Sequence, residues 1–135
     1  MGFGFSGAGT GPTLKATTGP SGFALVNGTP FILTWTAPND GRIHRFTVYM
    51  RLIVSANLTG GQIYIGNSGA TLPNAQNGTG NAPWLNSKGQ GDYLLNRDGG
   101  SDYKGIIGPG ETIFVQQIVA VTAGAGVLYA ELWAS

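Results

Sequence analysis

The feature that most constrains the fold is a strict alternation of side chains between residues 43 and 54. Its even-numbered members are apolar, namely Phe46, Val48, Met50, Leu52 and Val54. A period of two is the spacing of a β-strand with one buried face. We therefore predict that this segment is a strand whose even-numbered side chains face the core. The odd-numbered side chains should face solvent or a partner; they are Arg45, Thr47, Tyr49, Arg51 and Ile53.

Glycine and proline divide the rest of the chain into further short strands. The chain has 24 Gly and 7 Pro, and only 10% of its residues are charged, a composition that disfavours long helices. Alternation and turn residues predict strands at 23–26, 31–36, 62–65, 93–95, 106–107, 112–122 and 127–134. Gly60 and Gly61 should form a hairpin turn before 62–65, and residues 123–126 should join the last two strands.

These elements predict an all-β fold, an antiparallel β-sandwich of jelly-roll type. A length of 135 residues fits one domain, to which we assign residues 23–135. Residues 1–22 are rich in glycine and contain one charge, Lys15, so we expect an extended N-terminal arm. Glycine loses much entropy on ordering, so this arm needs support from its own domain or from a neighbouring chain.

The chain has few residues that are suited to catalysis or to metal binding. The chain has no Cys and one His, too few ligands for a zinc site, and we expect no cofactor, no metal and no catalytic residue. His44 begins the long predicted strand between Arg42 and Arg45, and these arginines should disfavour its charged form. We interpret His44 as a strand-end residue and expect the protein not to be an enzyme.

Charge and hydropathy argue against two kinds of partner, nucleic acids and membranes. Seven basic residues are scattered along a chain of net charge +1, whereas nucleic-acid binding requires clustered Lys and Arg. The longest apolar stretch, 113–121, is interrupted by Gln116 and Gln117 and is too short to span a membrane. The first residues lack the pattern of a secretory signal. We expect a soluble protein, made where it acts or exported without a cleaved signal.

Protein–protein contact is the remaining class, and five residues are its candidates. Phe3 and Phe5 are two aromatic rings on the glycine-rich arm, suited to filling a partner's groove. Trp84 lies in a long Gly/Asn-rich loop, 66–91, and large aromatic residues often occupy subunit contacts. Gln116 and Gln117 interrupt an apolar strand. One of the two must point inward or toward another chain, so we expect a hydrogen-bonded subunit contact there.

Three alternatives stay open at this point. Trp84, Tyr93 and Tyr103 could stack on sugars, which would make the 66–91 loop a glycan-binding site. The turn 96–102 resembles part of a calcium loop, although it lacks a terminal Glu. Asp92 and Asp98 could serve as the carboxylate pair of a small hydrolase.

Two stretches carry a resemblance to a known class of proteins. One is 38–49 followed by 58–63, and the other is 108–113 with 119–125 and 129–133. They resemble small structural proteins of tailed bacteriophages. In its overall character, the sequence is similar to those of jelly-roll capsid decoration (cement) proteins. The resemblance implies a virion protein, made in the host cytoplasm, that binds the major capsid protein on the outer capsid surface. It also implies a homo-oligomer, with a trimer favoured, and it brings no catalytic residues.

Overall fold

The computed structural model describes residues 11–25, 31–67, 85, 87–95 and 103–135, without the side chains of Asn67 and Ile118. These residues form an antiparallel, all-β structure whose single sheet closes nearly into a barrel. The described residues contain no helix. The strands are β1 (Thr13–Thr17), β2 (Phe23–Leu25), β3 (Ile32–Thr36), β4 (His44–Asn67), β5 (Gly91–Leu94), β6 (Tyr103–Ile107) and β7 (Thr112–Ala134).

Two long strands, β4 and β7, form the centre of the sheet. They have 24 and 23 residues and pair along almost their whole length, from Phe46 opposite Ala134 to Asn67 opposite Ile113. A straight strand of that length would measure about 80 Å, roughly twice the diameter of a compact domain of this size. The β4/β7 ribbon therefore has to curve, and its register shifts at four places between Val54 and Ile63.

The five short strands extend both edges of this ribbon. β1, β2 and β3 pair in turn along β7, while β5 and β6 pair with the first part of β4. All of these pairings are antiparallel. Since β1 and β3 border opposite ends of β7, they approach each other as the ribbon curves.

A single hydrophobic core fills the inside of the curved sheet. It includes residues from both ends of the ribbon, such as Leu52, Ile65 and Leu132. The predicted alternation in β4 is confirmed, because the even-numbered residues from Phe46 to Val54 are buried. The alternation near the end of β7 is confirmed as well, since Leu128, Ala130, Leu132 and Ala134 are all buried.

The predicted turns at Gly60–Gly61 and at 123–126 are wrong. Both lie inside continuous strands, where Thr59 pairs with Ala123 and Ala56 with Ala125. Gly60 and Gly61 do have positive φ angles, 75° and 97°, but they bend β4 without reversing it. The reason is that a paired ribbon can take up glycine's unusual conformations as bulges, with a local increase in bending and twist.

The predicted arm, residues 1–22, is partly within the described chain. Residues 13–17 form β1 on the edge of β7, with Leu14 opposite Trp133 and Thr17 opposite Glu131. Residues 1–10 lie outside the described residues. Part of the segment assigned to the arm thus belongs to the sheet.

Candidate functional site

The odd-numbered residues of β4 and their neighbours form one exposed surface, which we call the outer face. Thr47 lies opposite Trp133, Tyr49 opposite Glu131, and Arg51 opposite Tyr129. β6 and β5 widen this face on the β4 side, and β1 widens it on the β7 side. Its members are Leu14, Thr17, Arg45, Thr47, Tyr49, Arg51, Ile53, Asp92, Leu94, Lys104, Ile106, Val127, Tyr129, Glu131 and Trp133.

Large apolar side chains project from the outer face on four strands, β1, β4, β5 and β6. Leu94 on β5 is 74% exposed, Ile106 on β6 is 58% exposed, and Tyr49 on β4 is 47% exposed. Leu14 adds a fourth exposed apolar residue from β1. Single exposed apolar residues are ordinary, whereas several on one sheet face mark an interaction surface.

Several charged groups of the outer face are bound to other groups on it. Arg51 binds Asp92 through two hydrogen bonds, with Nε 2.9 Å from Oδ1 and Nη2 2.6 Å from Oδ2. This contact lowers the pKa of Asp92 and raises that of Arg51. Glu131 accepts a hydrogen bond of 2.9 Å from the indole nitrogen of Trp133. Both carboxylates of the outer face, Asp92 and Glu131, therefore already accept hydrogen bonds from within the chain.

His44 forms a second polar cluster, where β4 begins. Its Nδ1 lies 2.7 Å from the backbone oxygen of Ser135, and its Nε2 lies 3.0 Å from Oδ1 of Asp40. These two contacts raise the pKa of His44, the contact with Ser135 contributing most, while Arg42 opposes them more weakly. Arg42 thus disfavours the charged form, as expected, but its effect is outweighed because hydrogen-bond acceptors contact both ring nitrogens.

An aromatic and a cationic side chain lie beside this histidine. The ring of Trp35 meets the imidazole edge to face at 5.9 Å, and the ammonium of Lys15 lies 5.2 Å from the centre of the Trp35 ring. His44 is buried and begins β4, as expected of a strand-end residue. Its contacts are typical of a residue that joins the ends of strands.

Of the five predicted contact residues, the structure describes Gln116 and Gln117. Phe3, Phe5 and Trp84 lie outside the described residues. Gln116 is half-buried, with Tyr64 and Ile32 as its neighbours across the ladder. Gln117 points inward and is 4% exposed, yet neither atom of its amide has a hydrogen-bond partner. A contact between Gln116 or Gln117 and another subunit stays a prediction.

Of the residues of the three alternatives, the structure describes Tyr93, Tyr103 and Asp92. Tyr103 is 1% exposed and belongs to the core, so it cannot stack on a sugar. Tyr93 is half-buried, and its hydroxyl donates to the backbone oxygen of Gly89. Asp92, paired with Arg51, is held in its ionised form and is a poor general acid. Its suggested partner Asp98 and the turn 96–102 lie outside the described residues.

Comparison with known proteins adds no relative. No model of a known protein family matches the chain, and a search of curated proteins finds no match. In the described part of the chain, no His, Asp and Glu side chains gather in threes to hold a metal ion. Nor do the described ranges contain a helix with the length and hydropathy needed to cross a membrane.

The two most exposed apolar residues of the outer face, Leu94 and Ile106, were not predicted from the sequence. Both lie in short strands where alternation is hard to detect over so few positions. The pair Ile106–Ile107 could have indicated an exposed isoleucine, because adjacent residues of a strand point to opposite faces. The structure places Ile107 in the core and Ile106 outside.

Proposed function

We propose that this chain is a structural protein of a bacteriophage virion, a capsid decoration protein that self-associates and stabilises the major capsid shell. The observation that carries the proposal is the outer face, with Tyr49, Leu94 and Ile106 exposed on neighbouring strands. Such a face suits a fixed protein–protein contact. The resemblance to phage structural proteins supplies the partner, the major capsid protein on the outer capsid surface.

The curved β4/β7 ribbon supports the jelly-roll form of a β-sandwich as the finer description of the fold. In a jelly roll, long antiparallel pairs fold over so that two sheets enclose one core. Here the two ends of one ribbon contribute to the same hydrophobic core. We propose a trimer as the assembled state, in line with the resemblance.

The small number of free charges predicts how the contact responds to salt. Ion pairs between exposed groups weaken as salt shortens the range of electrostatic interaction. Arg51 and Asp92 already pair within the chain, which leaves Arg45 and Lys104 as the outer-face cations that a partner's charges could attract, and salt screens attraction between exposed charges. Attachment to particles should persist at about 1 M NaCl, where the Debye length is roughly 3 Å.

Purified virions provide the test of the proposed function. Particles made with and without the gene for this chain are compared by mass spectrometry and by the temperature at which they release their genome. We expect the chain in the purified particles, and a lower release temperature when it is missing. Adding the purified chain back should restore the temperature. Its absence from particles would overturn the proposal.

Two matched variants identify the surface that binds. Leu94→Ser replaces an exposed apolar side chain of the outer face by a polar one. Ile32→Ser makes the same kind of replacement on β3, which pairs at the other end of β7. We expect only Leu94→Ser to weaken rebinding to particles. Unchanged rebinding of Leu94→Ser, or a loss confined to Ile32→Ser, with the fold intact, would assign the contact to a different surface.

A carbohydrate-binding or adhesive module of a tail fibre or virion surface is the second candidate. The observation that favours it is that Tyr49, Tyr129 and Trp133 share the outer face, because aromatic rings on a flat surface can stack on sugars. A glycan array distinguishes the two functions. Reproducible binding that Trp133→Ala abolishes would favour the adhesive module over the decoration protein.

A further inference from the structure

A groove of about 360 Å³ runs between β1 and β7 at the margin of the outer face. The apolar residues Leu14, Pro20 and Tyr129 line it, together with Thr17 and Glu131. An enclosed apolar cavity of about 150 Å³ accepts a benzene ring. This groove can therefore take one aromatic side chain together with the backbone on either side of it.

Local hydrogen bonds fix the shape of the groove before anything binds. The segment after β1 is joined to β7 by a bond from Thr18 N to Ala130 O and another from Ala130 N to Thr18 Oγ1, both 3.1 Å. The ring of Tyr129 packs directly on Gly22, where an added Cβ would lie 2.8 Å from Cε1 of the ring. A rigid groove binds without first having to order its own walls.

We propose that this groove binds Phe3 or Phe5 from the arm of a neighbouring copy of the same chain. The inference rests on the proposed self-association and names the segment and the surface that would produce it. The first charged residue of the chain is Lys15, so the arm suits an apolar groove. Glycine precedes each phenylalanine, at Gly2 and Gly4, which lets the backbone approach closely.

The direction of β1 favours a neighbouring copy over the chain's own groove. β1 begins at Thr13, opposite Ala134, and the groove runs along β1 from Leu14 to Thr17 and continues to Pro20. Pro12 fixes its own φ and favours an extended conformation at Gly11, so an arm that filled its own groove would have to reverse its direction before residue 11. The eight residues from Phe5 to Thr13 can span about 26 Å, enough to reach an adjacent subunit.

Arms that each enter the next subunit's groove form a heterologous contact. Such contacts close into a ring when the rotation between subunits permits it. A ring of three copies would fill every groove and leave no arm without a partner. This arrangement accounts for a trimer without requiring a symmetric two-fold interface.

The absence of cysteine allows a test by cross-linking with no background. One preparation carries Phe3→Cys or Phe5→Cys, and a second, with a tag of different mass, carries Pro20→Cys at the groove. The two are mixed and treated with a short bismaleimide. We expect a mixed product of two chains for at least one arm position. Thr36→Cys, exposed on β3, replaces Pro20→Cys as the control and should give at most a tenth of that product.

Light scattering on variants without cysteine separates this inference from the proposed function. Phe3→Ala with Phe5→Ala should weaken self-association at least about tenfold, since one buried phenylalanine contributes about 1.5–3 kcal/mol. An oligomer that persists in this variant, or that gives no groove cross-link, would overturn the arm contact alone. Cross-linking confined to single chains that carry both cysteines would also overturn it. A wild-type chain that stays monomeric would instead refute the self-association itself.

Discussion

The imidazole of His44 joins the start of β4 to Ser135, with Nδ1 2.7 Å from the backbone oxygen. A carbonyl oxygen can only accept, so Nδ1 carries a proton. Nε2 faces a carboxylate oxygen of Asp40 at 3.0 Å, which also can only accept. The neutral ring has one N–H and satisfies one of these acceptors, whereas the charged ring satisfies both. The geometry therefore explains why the pKa of His44 is raised.

This cluster predicts that stability depends on pH. Because the folded pKa of His44 lies above its usual value of 6.5, its contribution is complete below that value and is lost as pH rises through the folded pKa. Asp40, whose pKa is lowered from 3.8, contributes above its usual pKa and loses that contribution as pH falls through the folded value. The free energy of unfolding, measured with urea, should decrease as the pH rises above about 6.5 and through the folded pKa of His44.

Asp40→Asn is the matched control for the pH effect. The new amide can donate to Nε2, so a neutral His44 could keep both of its hydrogen bonds. The stability of this variant should change less over the same pH range, and an NMR titration should find a lower pKa for His44 than in the wild type. Equal pH dependence in the two proteins would show that other groups cause it.

Much of the sheet could be predicted from the sequence, since alternation directly reports which side chains face inward. The segment from Phe46 to Val54 and the segment from Leu128 to Ala134 were both correctly divided into two faces. What local patterns could not determine was continuity through Gly60 and Gly124. Either glycine could end a strand or bend it, and the choice depends on pairing between residues about 60 positions apart, such as Thr59 and Ala123.

The candidate site was harder to predict than the fold. Tyr49 and Arg51 could be assigned to an exposed face because they lie in a long alternating strand. Leu94 and Ile106 join that face only through pairing with Arg51 and Arg45, which no local pattern specifies. The groove beside Tyr129 is also a product of tertiary structure, since it needs the segment after β1 to lie on β7.

The unpaired amide of Gln117 predicts a stabilising substitution. Gln117 lies between Phe31 and Ile63. Its backbone N–H donates to the backbone oxygen of Phe31, and Ile63 is its partner on β4. A buried polar group without a partner costs about 1–3 kcal/mol. Gln117→Leu has a similar size and should raise the free energy of unfolding by about 1 kcal/mol. Urea unfolding at low protein concentration measures this difference in the unassembled chain.

Gln116→Leu serves as the control for Gln117→Leu. Gln116 is half-buried and neither of its side-chain atoms is among the buried groups without a partner, so its replacement should change stability by about 0.5 kcal/mol or less. A destabilising Gln117→Leu would mean that the amide has a partner in solution. That result would return Gln117 to the predicted set of hydrogen-bonded contacts.

Ser87 predicts a second stabilising change, through its backbone. Its φ of 68° is left-handed, a conformation that costs a residue with a Cβ about 1–2 kcal/mol. Ser87 is held there because its N–H donates to Leu58 O at 2.9 Å. Ser87→Gly should raise the free energy of unfolding by about 0.5–1 kcal/mol, after subtraction of glycine's larger entropy in the unfolded chain. Thermal or urea unfolding provides the measurement.

The same substitution at Ser55 should have the opposite sign. Ser55 is exposed within β4, its φ is not positive, and its hydroxyl donates to the backbone oxygen of Ala125, so glycine there should lower stability by about 0.5–1 kcal/mol. Changes of the same sign at both positions would contradict an origin in the φ of Ser87.

Gly124 predicts the largest loss of stability among these substitutions. Its φ is 93°, and an added Cβ would overlap the backbone carbonyl of Asn57 on the paired strand. Backbone cannot move aside as a flexible side chain can, so Gly124→Ala must separate β7 from β4 locally. Gly110→Ala is the control, because Gly110 has a similar φ of 77° but no atom within 4 Å of the added Cβ. The control should lose about 1–2 kcal/mol from its φ alone, and Gly124→Ala should lose at least about 3 kcal/mol. Equal losses in urea unfolding would mean that β7 does not approach Asn57 so closely.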